Sequence, residues 1–256
     1  MELPRNQFKR GLIEGRRQFG LWLDLGDPYS SEISAGAGFD WLLIDAEHGP
    51  NDVRSVLAQL QVLAAYHVSP IVRIADSSEA TIKQMLDIGA QSILVPMVES
   101  ADQARQLARA MRYPPGGVRG VASAIVRASR WNRVPGYVTK ADAEVCLIVQ
   151  IESRAAIEQL DAIAAVNGVD ALFIGPADLA ASLGHLGDAR HPQVLEMIEN
   201  AIQRARKAGK PIGILSTEEA QVRHYLELGC TFVGVGLDAS LLATVTQELA
   251  AKYRAP

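Results

Sequence analysis

Short apolar runs alternate along the chain with longer stretches in which apolar residues recur every three or four positions. The runs at 18–23, 41–45, 70–74, 92–98, 145–151, 171–174, 211–215 and 232–235 are rich in Val, Ile and Leu with little polar alternation. That is the pattern of strands buried on both faces of a parallel sheet. Between and after them, 28–35, 52–66, 79–87, 101–111, 154–165, 192–208, 218–228 and 239–253 read as helices. In the second of these, Val53, Val56, Leu57, Leu60, Leu63 and Ala64 make one apolar stripe. Gly38, Gly89 and Gly229 each stand between a helical segment and the next run, where a left-handed residue closes a helix.

Eight strands interleaved with helices in 256 residues predict an α/β fold, a (β/α)8 TIM barrel, as a single domain over 1–256. The competing arrangement is an open doubly wound sheet, but no Gly-rich dinucleotide fingerprint follows the first strand. No linker or low-complexity segment divides the chain. One long irregular stretch, 113–143, holds Pro114-Pro115-Gly116-Gly117 and Pro135-Gly136. Stretches of that length without regular structure are usually functional or mobile.

Composition narrows the function. With 25 Lys+Arg against 29 Asp+Glu the formal net charge is −4, which disfavours a nucleic-acid binder that must neutralise phosphates. No apolar run approaches the ~20 residues of a membrane span. The N-terminus lacks the apolar core of a secretory signal. Cys146 and Cys230 lie in or beside strand-like runs, so neither a disulfide framework nor a structural zinc site is expected, and a reducing cytoplasm fits.

In such a barrel the chemistry sits at the C-terminal ends of the strands. Strand two runs into Asp45-Ala46-Glu47-His48, and strand three carries Arg73. Glu99 follows strand four; Gln150 and Glu152 mark strand five; Gly175-Pro176-Ala177-Asp178 ends strand six; Ser216 and Asp238 close strands seven and eight. Glu152 and Asp178 are one βα unit apart, where two carboxylates can hold a hard divalent cation with open positions for water and substrate. Equally, Glu152 can cap the following helix and Asp178 can sit in a first helical turn. Arg73, inside an apolar run, needs a carboxylate partner such as Asp45 or an anionic substrate. His48 reads as a general acid/base oriented by a neighbouring carboxylate, or as a surface-turn histidine. The arginines Arg119, Arg127, Arg130 and Arg133 could together hold an anion, but read more simply as a solvated loop. None of the six lysines ends a strand, so imine chemistry is disfavoured.

At these residues the sequence resembles the HpcH/HpaI aldolases. The resemblance rests on Phe39-Asp40-Trp41-Leu42-Leu43-Ile44-Asp45-Ala46-Glu47-His48-Gly49-Pro50-Asn51, on Pro70-Ile71-Val72-Arg73, on Val149-Gln150-Ile151-Glu152 and on Phe173-Ile174-Gly175-Pro176-Ala177-Asp178-Leu179, and runs over nearly the whole chain. It implies a metal-dependent class II pyruvate aldolase, as in aromatic-compound catabolism or sugar-acid cleavage, on a (β/α)8 barrel. It also implies a homohexamer in which the last helix packs across to a neighbouring subunit. Carried across, Glu152 and Asp178 match the metal ligands, and Arg73 matches the arginine that stabilises the enolate. His48, with Asp45, matches the acid/base histidine and its carboxylate. Gln150, Gly175, Pro176, Ala177, Asp178 and Leu215 match the donor pocket. Trp22 and Asp87 fall where family members place active-site or subunit-contact residues. Gly49 stands where an alanine is expected, a departure that should affect loop stiffness rather than chemistry.

The activity so implied is reversible cleavage of a 4-hydroxy-2-oxo acid to pyruvate, or hydroxypyruvate, and an aldehyde, with His48 or a water at the ion as base. The ion would be Mg²⁺, Mn²⁺ or Co²⁺, with Zn²⁺ also compatible. Two other readings stay open. One is a CoA-thioester lyase of the malyl-CoA or citryl-CoA type, although no extra domain or basic phosphate cradle is visible. The other is a non-catalytic barrel that binds a small molecule.

Overall fold

The structure is a computed structural model and describes residues 1–254. Eight strands close into a barrel in chain order, every neighbouring pair parallel and the last paired back to the first. They are β1 (Gln18–Leu23), β2 (Trp41–Asp45), β3 (Ser69–Arg73), β4 (Ser92–Val95), β5 (Cys146–Ile151), β6 (Ala171–Ile174), β7 (Ile212–Leu215) and β8 (Phe232–Leu237). The helices are α1 (Gln7–Ile13), α2 (Pro28–Ala35), α3 (Val53–Leu63), α4 (Glu79–Ile88), α5 (Ala101–Ala110), α6 (Tyr137–Glu144), α7 (Arg154–Glu158), α8 (Leu160–Ala164), α9 (Pro176–Ser182), α10 (Pro192–Lys207), α11 (Glu219–Leu228) and α12 (Asp238–Arg254). The open-sheet alternative is thereby excluded. Among the described residues no helix is long and apolar enough to cross a membrane.

Side chains alternate along each strand, so two cores form. Leu42 and Ile44 of β2, Val72 of β3, Leu147, Val149 and Ile151 of β5, and Leu172 and Ile174 of β6 face outward into the layer under the helices. Trp41 and Leu43, Ile71, Cys146 and Ile148, and Ala171 and Phe173 face inward with Trp22 and Phe232. Phe8 of α1 plugs the N-terminal end of this interior, edge-on to Phe232 at 5.3 Å and to Trp41 at 6.3 Å between ring centres. Filling a barrel with large aromatics leaves no pore. Truncating a fully buried ring such as Trp41 is expected to cost about 3–5 kcal/mol.

Most predicted elements are present with ends moved by a residue or two, and Gly38, Gly89 and Gly229 all take positive φ. Three differences bear on the site. The fourth strand, expected to reach Val98, ends at Val95, because Met97 turns left-handed at φ 52°. The helix expected over 154–165 breaks into α7 and α8 around Gln159. The stretch 113–143 is not wholly irregular: α6 forms near its end, and Arg119 is buried between the Tyr113 and Tyr137 rings rather than solvated. The helices α1 and α9 also form where the periodicity did not mark them.

Candidate active site

Inward alternation continues past the last apolar layer and sets polar groups on one rim. In β2 the inward series Trp41, Leu43 ends in Asp45; in β3 Ile71 is followed by Arg73; in β5 Cys146 and Ile148 lead to Gln150 and Glu152; in β6 Ala171 and Phe173 lead to Gly175. Asp45 and Arg73 are register partners across β2 and β3.

That register decides the partner of Arg73. Its Nε donates to Asp45 Oδ1 at 2.8 Å, its Nη2 to Asp45 Oδ2 at 2.5 Å, and its Nη1 lies 3.0 Å from Glu47 Oε2. The guanidinium centre stands 5.7 Å from the ring of Trp22, which is buried and forms the floor of the site beside Leu215 and Gly234. Burial opposes the charge on Arg73, but the two carboxylates outweigh it and hold the guanidinium above its usual range. Burial alone would raise Asp45, yet the Arg73 bonds keep it below the ordinary aspartate range.

The expected pairing of Asp45 with the His48 ring is not formed. Both Asp45 oxygens serve Arg73, and Oδ1 also accepts the backbone N–H groups of Glu47 at 3.0 Å and His48 at 3.4 Å. The carboxylate near the His48 ring is that of Glu47, 4.0 Å from Nε2, and the His48 side chain is 67% exposed. Gly49 is also more constrained than expected. A Cβ there would run into the Asp45 carbonyl and lie 3.3 Å from the Asp24 carbonyl. The tight turn keeps the Asp45 carbonyl bonded to Asn51 Nδ2 at 2.8 Å.

Glu152 is buried at the end of β5 with both oxygens held: Oε1 accepts the Met97 N–H at 2.7 Å, and Oε2 accepts Gln150 Nε2. Burial raises its carboxyl to about 7, with Asp178 and Glu47 adding repulsion. Gly175 is the neighbour that permits this packing, since a Cβ there would strike Glu152 Oε2 and come within 2.9 Å of Gln150 Nε2. Asp178 is exposed in the first turn of α9, after Pro176 and Ala177. Gln150 Oε1 is buried without a partner. So Asp45, Arg73, Gln150, Glu152, Gly175–Asp178, Leu215 and Trp22 share one end of the barrel, with His48 at its rim.

Asp87 does not join them. It lies at the C-terminal end of α4, near the opposite mouth of the barrel, and its Oδ1 accepts Arg119 Nη2 at 3.0 Å. A cavity of about 740 Å³ opens at that same mouth, bordered by Gln18, Asp40, Ser69, Ser92 and Arg119, and none of the residues gathered at the C-terminal rim lines it. The sequence reading missed Met97, Glu47 as the second partner of Arg73, and Asp24. Burial, with Asp45 and Asp238 adding repulsion, pushes Asp24 up to about 7.

The donors suit a hard cation. Glu152 and Asp178 supply only carboxylate oxygen, and three carboxylates, with Glu47, repel one another around a glycine-lined cradle and an orphaned amide oxygen. Among the described residues no group of three or more His, Cys, Asp or Glu side chains is arranged to hold an ion. Two carboxylates would therefore share it with water and substrate, a usual arrangement for Mg²⁺-type ions.

An eight-stranded parallel barrel with a buried arginine facing carboxylates at its C-terminal rim has its polar groups where enzymes of this fold carry their chemistry. Comparison with known proteins gives the family. Residues 18–244 match the model of the HpcH/HpaI aldolase/citrate lyase family, and the chain belongs to it. It is 58% identical to a hydroxypyruvate/pyruvate aldolase of Pseudomonas aeruginosa, over 99% of this chain and 95% of that one. It is 54% identical to a 4-hydroxy-2-oxo-heptane-1,7-dioate aldolase of Shigella sonnei, over 98% and 95%. The crystal structure of an HpcH/HpaI aldolase/citrate lyase family protein from Burkholderia cenocepacia superposes with a TM-score of 0.93 at 40% identity, covering 98% of this chain and 100% of that one. The chain is an aldolase, a carbon–carbon lyase.

Proposed function

We propose that this protein is a class II aldolase that reversibly cleaves 4-hydroxy-2-oxo acids into pyruvate, or hydroxypyruvate, and an aldehyde. The observation that carries the reading is the placement of the Arg73 guanidinium, held by two carboxylates, at the same rim as buried Glu152 and the Gly175–Asp178 turn. The names of the relatives supply the substrate class.

Glu152 and Asp178 would hold the divalent ion, Mg²⁺, Mn²⁺ or Co²⁺ by their oxygen chemistry, and when bound it would polarise the 2-oxo group of the substrate. Gln150, Leu215 and the backbone of Gly175, Pro176 and Ala177 form the pocket for the 2-oxo acid. Trp22 closes it from below, so water is excluded from the underside of the reacting carbons. Cleavage breaks C3–C4, and its electron pair collects on the three-carbon fragment as an enolate while C4 leaves as the aldehyde carbon. Arg73 stands preorganised to stabilise that charge, its position already fixed by Asp45 and Glu47, so it need not reorganise as charge develops. The C4 hydroxyl proton passes to a base at the rim, for which His48 beside Glu47 is the side chain in place. Protonation at C3 completes pyruvate.

The assembly we propose is a homohexamer in which α12 is covered by a second copy. Of the 17 residues of α12 only Asp238 is buried, while Leu241, Leu242, Val245 and Leu249 are each more than half exposed. Since each is already partly covered, burying the remainder would contribute about 1–1.5 kcal/mol apiece. The single domain expected over 1–256 would then be one barrel with an exported last helix.

A coupled assay of pyruvate release from 4-hydroxy-2-oxo acids, with and without EDTA, tests the reading. Activity should vanish with the chelator and return with excess Mn²⁺. Undiminished activity in EDTA would overturn the metal role. Turnover only of CoA thioesters would favour the other lyase reading, and binding without turnover would favour the non-catalytic one.

A further inference from the structure

The backbone that carries Glu152 is joined to the loop after β4 by a closed circuit of hydrogen bonds. Met97 donates its N–H to Glu152 Oε1 at 2.7 Å. Met97 accepts, at its own carbonyl, the side-chain Nε2–H of Gln103 at 3.2 Å. Gln103 Oε1 accepts the Glu99 N–H at 3.0 Å. Glu99 Oε1 accepts Ser153 Oγ–H at 2.6 Å, and Ser153 follows Glu152 in the chain. The amide orientation of Gln103 is set by these partners: its oxygen faces an N–H and its nitrogen faces a carbonyl.

Two features make this circuit more than a loop contact. Met97 holds φ 52°, a left-handed conformation that a non-glycine residue adopts only at a cost, so something must keep it there. Gln103 is also diverted from an ordinary task. Ser100 caps α5, accepting the Gln103 N–H at 3.2 Å, so Ser100-Ala101-Asp102-Gln103 has the spacing of a capping box. In that motif the Gln side chain returns to the N–H of the capping residue. Here it passes Ser100 and reaches Glu99 and Met97 instead.

We infer that Gln103 is a positioning residue for Glu152: it holds the Met97 peptide in its left-handed state, which aims the Met97 N–H at Glu152 Oε1 and orients the carboxylate toward the ion. This rests on the metal reading proposed above. With Oε1 held by Met97 and Oε2 by Gln150, the carboxylate cannot rotate, and its remaining lone pairs have a fixed direction. Releasing Met97 frees that rotation without touching either metal ligand. Loss of such an outer partner typically weakens metal binding 10–100-fold.

The test is Mn²⁺ binding to the purified, metal-stripped protein, read by electron paramagnetic resonance. Four proteins form a cycle: wild type, Gln103→Leu, Met97→Gly and the double variant. Gln103→Leu should weaken Mn²⁺ binding about tenfold. Glycine adopts positive φ without the side-chain penalty, so in the Met97→Gly background the same change should cost about threefold or less. The metal-free unfolding midpoint of Gln103→Leu should move by no more than about 2 °C. Wild-type Mn²⁺ affinity in Gln103→Leu overturns the inference. So does an equal loss in both backgrounds, which would place Gln103's effect in the α5 cap. Glu152→Ala run alongside separates the two readings. Mn²⁺ binding that survives Glu152→Ala overturns the metal assignment and this inference with it. Loss in Glu152→Ala with unchanged binding in Gln103→Leu overturns the Gln103 inference alone.

Discussion

Replacing Arg73 by lysine separates charge from geometry at the centre of the site. The guanidinium makes two hydrogen bonds to Asp45 and one ion-pair contact with Glu47. An ammonium keeps the charge but cannot present the planar fork, so it cannot bond both Asp45 oxygens at once; Oδ1 keeps its backbone N–H partners, while either Oδ2 or the Glu47 carboxylate loses its cation. Breaking a buried pair outright costs about 3–5 kcal/mol. Because lysine retains the charge, Arg73→Lys should cost less, about 2 kcal/mol of folding stability, and the protein should remain folded. The chemical effect should be larger. Losing one preorganised donor to developing negative charge lowers rates by about 10²–10³, roughly 3–4 kcal/mol on the barrier.

The assay is exchange of the pyruvate methyl protons with deuterated water, followed by proton NMR. It requires the enolate and no aldehyde, so it isolates the step assigned to Arg73. Denaturant unfolding at several pH values gives the stability side. Asp45 has its pKa lowered by folding, so it stabilises the native state above its unfolded pKa of about 3.9, and that contribution disappears as pH falls through the folded value. The deficit of Arg73→Lys against wild type should therefore be full near pH 7 and narrow below about pH 4. Wild-type exchange in Arg73→Lys, whatever its cleavage rate, would refute the enolate assignment and leave Arg73 as a residue that places the acceptor.

Asp24 gives the opposite pH signature. Its pKa is raised by burial to about 7, so its ionisation erodes native stability as pH rises from about 4 to 7; Asp24→Asn should flatten that slope in denaturant titrations, and an unchanged slope would exclude Asp24 as its source. Gly49→Ala should lower stability by about 1–3 kcal/mol and slow methyl-proton exchange, because its Cβ meets the Asp45 carbonyl; wild-type behaviour in both would restore the expectation that only loop stiffness is at stake. Borohydride added with substrate should leave pyruvate release intact and no adduct on mass spectra, since none of the lysines ends a strand; a trapped lysine adduct would establish imine chemistry.

The barrel and the identity of its rim residues were legible because a strand writes its geometry into the sequence with a period of two. Once 41–45 reads as a buried strand, Trp41, Leu43 and Asp45 share a face, and the same counting puts Gln150 and Glu152 together on β5. Pairing between strands carries no comparable mark. Whether Arg73 met Asp45 or an anionic substrate depended on the register of β2 against β3, which aligns those two residues. The resemblance implied that Asp45 serves His48, whereas both Asp45 oxygens serve Arg73 and the carboxylate near the ring is that of Glu47. Met97 was invisible for a different reason: nothing in its residue type signals positive φ, and the cost of that conformation is offset by a bond from Gln103, six residues along the chain. Such features depend on where one backbone passes another. Local periodicity therefore finds the polar residues of the rim, while the groups that aim them follow from tertiary contacts, and substitutions at Gly49, Met97 and Gln103 are where this chain's chemistry should prove sensitive without a motif to announce it.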